Sequence, residues 1–126
     1  MKLFVDDIRN APDESWSVAR TVDSAISFIA QFGHELTEVS LDHDISHQVG
    51  MGEVSRPYPC VETFTAVARY MAEYYEPDGP RFKKRPKITI HSSNPMGAKN
   101  MQYILKDLGD VPYIPFGPVN RLERIV

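Results

Sequence analysis

Three segments of this sequence end an apolar run in side chains that could do chemistry. Asp6-Asp7 follow Leu3-Phe4-Val5, Asp42-His43-Asp44 follow Val39-Ser40-Leu41, and His91-Ser92-Ser93-Asn94 follow Ile88-Thr89-Ile90. Four carboxylates drawn into one place would repel and raise one another's pKa values unless a cation shared them. A hard divalent cation with oxygen ligands is the simplest remedy, which makes Asp6, Asp7 and Asp42 the candidate metal ligands. Mg²⁺ or Mn²⁺ suits them, with water completing the shell, and the neighbouring histidines admit Zn²⁺ as a third choice. His43 and His91 are the candidate proton carriers, since imidazole titrates near neutral pH, and Asp44 beside His43 belongs to the same catalytic set.

Ser92, Ser93 and Asn94 lead into Pro95, the pairing of N-cap and first-turn residue expected where a helix begins. Free backbone N–H groups and the helix dipole there favour an anion such as a phosphate. Lys99, one turn in, adds charge, and Asn100 is placed to bond a ligand or a loop. Arg9, Arg56 and Arg121 are further candidate phosphate contacts, each on a loop expected at the same edge. His47 is a weaker candidate in a long loop, and His34 reads as surface. The basic run Arg81, Lys83, Lys84, Arg85 and Lys87 precedes a strand, so it belongs to the opposite edge and reads as a solvated loop.

The elements that must position these groups follow from periodicity. Residues 3–5 form a short buried strand, and residues 8–15, with Asn10, Pro12, Asp13 and Ser15, a loop. Residues 16–22 form a second strand. A helix capped by Thr21 or Asp23 follows, with Ala25, Ile26, Phe28, Ile29 and Phe32 on its apolar face and Gly33 at its end. Residues 38–41 form a third strand, and 45–58 a long loop of the kind used for lids or binding. Residues 61–75 form a helix with Phe64, Val67, Ala68 and Met71 on one stripe. Residues 87–90 form a fourth strand, 95–108 a helix closed by Gly109, and 111–116 a fifth strand.

Alternating strands and helices imply an α/β fold, a parallel sheet with helices on both faces. Right-handed crossovers make it a doubly wound five-stranded sheet of order 2-1-3-4-5. The first link is too short for a crossover helix and is expected to be a loop or a single turn. Ligands of such sheets bind beyond the carboxyl ends of the strands. Strands one, three and four are neighbours in this order, so the three chemical segments converge on one crevice.

The chain has 126 residues, enough for one domain, residues 1–126. Hydrophobic residues make up 42% and charged residues 25%, the make-up of an ordinary globular protein. A net charge of −3 leaves no basic excess for coating duplex nucleic acid, while a compact phosphate-bearing ligand is allowed. Cys60 is the only cysteine, so no internal disulfide forms, and it reads as a small buried side chain at a helix start. The amino terminus turns acidic after a short apolar run, unlike a signal peptide, and no apolar stretch is long enough to span a membrane. A cytoplasmic protein is the expectation.

Leu3-Phe4-Val5-Asp6-Asp7-Ile8-Arg9, Ser40-Leu41-Asp42-His43-Asp44 and the run from His91 to Met101, through Asn94, Pro95, Gly97 and Lys99, resemble the motifs of the cyclic-phosphate-processing receiver-like domains of bacteria and tailed phages. The match runs in order over nearly the whole chain. It implies a receiver-like, flavodoxin-like fold and a role in processing cyclic phosphates of nucleotides or RNA ends. True response-regulator receivers share Asp6 and Asp7 as an acidic pair and Asp42 at the phosphoacceptor position. The chain departs from them with His91 where a small residue or Thr/Ser is usual, with His43 after Asp42, and with no Lys ending strand five. These departures weigh against phosphorelay signalling.

Three functions are then in view. The first is a metal-dependent phosphoesterase that opens the ring of a cyclic nucleotide or of a 2′,3′-cyclic phosphate RNA end. The second is a non-catalytic module that sequesters a cyclic nucleotide, as a phage protein acting in host cytoplasm would to blunt a nucleotide signal. The third is a receiver-like signalling or partner-binding domain.

Overall fold

The computed structural model describes residues 1–45, 63–75 and 85–115. In chain order it holds β1 (Lys2–Val5), β2 (Trp16–Ala19), α1 (Val22–Phe32), β3 (Glu38–Leu41), α2 (Thr65–Tyr74), β4 (Lys87–Ser92), α3 (Pro95–Ile104) and β5 (Tyr113–Pro115). The five strands make one parallel sheet of order β2-β1-β3-β4-β5. The link between β1 and β2 contains no helix, so the first crossover is a loop.

Local chemistry explains most boundaries. Thr21 caps α1 in a capping box with Ser24, which stops β2 at Ala19 instead of 22. Asn94 caps α3 through its side chain and Pro95 takes the first turn. The helix ends at Ile104 rather than 108, because a 3₁₀ turn over Lys106–Leu108 precedes Gly109, whose φ of 114° suits a residue without Cβ. α2 begins at Thr65, later than periodicity implies. Thr63 pairs with Asp44 in an isolated bridge, and the N–H of Phe64 donates to the carbonyl of His43 at 2.8 Å. That tertiary tie holds residues 63 and 64 outside the helix.

The crossovers from β2 to β3, β3 to β4 and β4 to β5 all step in one direction, so right-handedness puts α1, α2 and α3 on one face. Leu3, Val5, Val39, Leu41, Ile88 and Ile90 point to that face and form the core with Ala25, Ile29, Val67, Ala68, Met71, Ala98 and Met101. Alternation sends Phe4, Ser40 and His91 to the other face. Among the described residues no helix lies there.

Register does the positioning. Val5 pairs with Leu41, and Leu41 with Ile90, so these three form one row across β1, β3 and β4. The next residue of each chain segment is Asp6, Asp42 and His91. One step past a fully buried row, these side chains share the face of Phe4 and Ser40 at the carboxyl edge of the sheet.

Candidate active site

Asp6, Asp42 and His91 meet. Each offers one ligand atom, all within 4.8 Å of one another, and all three residues are buried. Two carboxylates and an imidazole form a donor set suited to a divalent ion, with the imidazole favouring Mn²⁺ or Zn²⁺ over Mg²⁺. The group could therefore hold a metal ion. Its membership differs from the expected Asp6, Asp7 and Asp42. Asp7 is half-buried beside the group, close enough for its charge to act on Asp42, but is not one of the three. His91, expected as a proton carrier, takes the third place.

His91 is 1% exposed, and both of its ring nitrogens are engaged. Nε2 lies 2.9 Å from Oδ2 of Asp6, and Nδ1 lies 2.6 Å from the hydroxyl of Ser40. Its ring stacks on Phe4, 4.4 Å between centroids and 2° from parallel. Asp6 is ionised, so Nε2 carries the hydrogen and donates to it, while Nδ1 accepts from Ser40. Burial pulls the pKa of His91 down against the opposing pull of Asp6, which keeps the ring neutral.

The two carboxyls are driven apart. Burial alone would raise Asp6, but hydrogen bonds from His91 and from the backbone N–H of Arg9 and Ile8 bring it down to about 2. Burial and then the negative charge of Asp6 push Asp42 up to about 7, against the His43 backbone N–H and the charge of Arg9. This is the pattern of two acids that cannot both ionise freely in one site. Arg9 is placed between them. Its Nη1 is 3.2 Å from Oδ2 of Asp6 and 3.5 Å from Oδ2 of Asp42, and its Nη2 donates to the hydroxyl of Ser93 at 3.3 Å.

A second cluster sits on the helix side of the same edge. Nδ1 of His43 lies 2.7 Å from Oδ1 of Asp44, which fixes the hydrogen on Nδ1 and leaves Nε2 as a hydrogen-bond acceptor. Among the described residues no partner of Nε2 is seen. The amide of Asn94 donates to both oxygens of Asp44 at 3.2 and 3.4 Å, and its Oδ1 caps Gly97 N–H at 2.9 Å. Gly97 is needed here: a Cβ on it would come within 3.0 Å of the His43 ring. The peptide between Asp42 and His43 joins the two clusters, and its N–H donates to Oδ1 of Asp42 at 2.7 Å.

The remaining expected contacts are placed as follows. Ser92 is fully buried, its hydroxyl accepts from the N–H of Asn94 at 3.0 Å, and its carbonyl accepts from Tyr113, so it shapes the turn into α3. Ser93 is exposed at the edge. Lys99 and Asn100 are exposed on α3, and among the described residues no side-chain hydrogen bond or ion pair of either is seen. His34 is exposed beside Glu35. Lys87 and Arg85 are exposed at the amino end of β4, opposite the clusters. His47, Arg56, Cys60, Arg81, Lys83, Lys84 and Arg121 lie outside the described residues.

Two contributors were not anticipated. Ser40 fixes the His91 ring, and Arg20 donates from Nη1 to the carbonyls of Asp6 at 3.2 Å and Arg9 at 2.7 Å, pinning the loop that carries the acidic pair. Ser40 stands two residues before Asp42 in one strand, and that period-two spacing was the available signal. For Arg20, just past the edge strand, the sequence holds no comparable signal.

The sheet order and the carboxylates at its edge define a receiver-like α/β domain. A family model, the cyclic-phosphate processing Receiver domain, matches residues 1–107, and the chain belongs to that family. No curated protein and no solved structure matches it. Among the described residues no helix is long and apolar enough to cross a membrane.

Proposed function

We propose that this domain is a metal-dependent phosphoesterase that hydrolyses a cyclic phosphodiester, in a cyclic nucleotide or at a 2′,3′-cyclic RNA end. The observation that carries the reading is the buried Asp6–Asp42–His91 group standing one peptide away from a His43–Asp44 pair. The family's name supports the substrate class. When bound, Mn²⁺ or Mg²⁺ would supply charge to the phosphoryl oxygens and lower the pKa of a water.

The chain's own residues divide the remaining work. Asp6, Asp42 and His91 would hold the ion, His91 through Nε2 once its ring hydrogen has moved to Nδ1, which then donates to the Ser40 hydroxyl. His43, oriented by Asp44, takes a proton at Nε2 from the attacking water and returns it to the ring oxygen that leaves phosphorus. One P–O bond forms and one breaks, so the product is a phosphate monoester plus a free hydroxyl. Arg9 and Ser93 meet the phosphate oxygens, since Pro95 lacks an N–H and the Gly97 N–H is already capped by Asn94.

Two substitutions separate the parts. Asp6→Ala should abolish Mn²⁺ binding measured by calorimetry, and turnover with it. His43→Gln should abolish turnover and leave Mn²⁺ binding in place. Bound cyclic nucleotide recovered uncleaved from the metal-loaded wild type would replace hydrolysis with sequestration.

A further inference from the structure

We propose that Arg9 is a built-in counter-cation for the Asp6–Asp42 pair, whose guanidinium a divalent ion must displace in order to bind. This rests on the metal-binding reading of Asp6, Asp42 and His91. Arg9 reaches one oxygen of each carboxylate, at 3.2 and 3.5 Å, in a place where both acids are buried and its own side chain is 11% exposed. Two ionised acids so close in a medium of low dielectric repel each other, and the guanidinium is the cation that reaches both in the metal-free protein.

The loop is built to deliver this side chain. The N–H groups of Ile8 and Arg9 both donate to Oδ1 of Asp6 at 2.9 Å, which wraps residues 6–9 around that carboxylate. Arg20 ties the Asp6 and Arg9 carbonyls together from outside. Arg9 is therefore turned back onto the acid three residues before it, and its Nη2 anchors on Ser93. A metal ion held by Asp6, Asp42 and His91 needs the same carboxylates, and two cations cannot occupy that space without mutual repulsion. Weak metal binding by the free protein follows, because each binding event breaks charge-assisted hydrogen bonds of Arg9.

The test is Mn²⁺ titration by calorimetry of wild type, Arg9→Gln and Lys99→Gln. Arg9→Gln should bind Mn²⁺ roughly tenfold to a hundredfold more tightly, the equivalent of one charge-assisted hydrogen bond that no longer has to be broken. Lys99→Gln removes an equal charge from the exposed surface of α3, away from the ties that hold the Arg9 loop, and should change the affinity far less. Equal tightening in both variants, or no tightening in Arg9→Gln, overturns the competition while leaving the metal site standing. Mn²⁺ binding by neither wild type nor Arg9→Gln removes the metal site and the competition together. Should Arg9→Gln not fold, the guanidinium N–H signals of ¹⁵N-arginine-labelled wild type give the same answer. They should shift and lose protection from exchange on saturation with Mg²⁺, and unchanged signals at saturation overturn the proposal.

Discussion

His91 Nε2 and Asp6 Oδ2 are 2.9 Å apart, joining the end of β4 to the end of β1 across the intervening β3. With Ser40 on the other ring nitrogen, this leaves His91 neither a free proton carrier nor exposed to one. It holds Asp6 and, in the reading proposed above, would hold the ion in the metal-bound protein.

His91→Gln should therefore act on binding and folding before chemistry. Mn²⁺ affinity should fall roughly tenfold to a hundredfold, the usual cost of disturbing a metal ligand set, and the melting temperature should fall with it. The pH dependence of whatever turnover remains should match wild type. His43→Gln should show the converse, a loss of at least about a hundredfold in turnover with the metal affinity kept. A His91→Gln protein with normal melting and normal Mn²⁺ affinity but a shifted pH profile would return the proton-carrier role to His91.

Ser40→Ala should be costly for so small a change. It leaves the Nδ1 acceptor of a buried ring without its donor, a loss of roughly 1–3 kcal/mol. ¹⁵N chemical shifts of the His91 ring should report the Nε2–H form in wild type, and denaturant unfolding measures the loss. Wild-type stability in Ser40→Ala would mean that the hydroxyl contributes nothing to holding the ring.

The acid pair imposes a pH dependence on the metal-free protein. Asp42 is raised from 3.8 to about 7, so both folded and unfolded chains hold its proton below about pH 4. Between 4 and 7 the unfolded chain releases that proton while the folded one keeps it, and stability falls as pH rises. The penalty is complete above 7, on the order of 4 kcal/mol. Asp6, lowered to about 2, works in the opposite sense: its contribution is present above pH 4 and is lost as pH falls through 2. Asp42→Asn should thus be more stable than wild type above pH 7 in chelator, with the difference shrinking toward pH 4. Parallel stability curves for the two proteins across that window would show that Asp42 is not raised. Since a bound ion needs ionised Asp42, Mn²⁺ affinity should rise as pH passes 7.

Gly97→Ala should damage the His43 cluster selectively. The added methyl must displace the His43 ring or shift α3, at a cost of roughly 1–3 kcal/mol. Turnover should fall at least as far as stability, while Mn²⁺ binding on the other side of the edge changes little. Unaltered turnover in a folded Gly97→Ala protein would separate His43 from the reaction.

The sheet order was legible because β1, β3 and β4 are short apolar runs with polar ends and right-handed crossovers then fix their neighbours, and the shared row of Val5, Leu41 and Ile90 follows from that pattern. The convergence of the three chemical segments on one edge was legible for the same reason. How they divide was not. Whether Asp6 or Asp7 joins Asp42 depends on which face each occupies once the strand ends, and the hydrogen bonds from Ile8 and Arg9 to Asp6 decide it. That His43 packs on Gly97 while His91 packs on Phe4 separates two histidines that look alike in sequence. The late start of α2 depends on the Asp44–Thr63 pairing, which helical periodicity does not contain.

One measurement bears on the central claim most directly. The purified protein is incubated with a panel of cyclic mononucleotides, cyclic dinucleotides and 2′,3′-cyclic-ended RNA, in Mn²⁺ and in chelator, and the products are weighed by mass spectrometry. Metal-dependent hydrolysis predicts that one class of substrate gains the mass of one water in Mn²⁺ only, and that Asp42→Asn shows no gain. No mass gain with any member of the panel in Mn²⁺, or an equal gain in chelator, would contradict it.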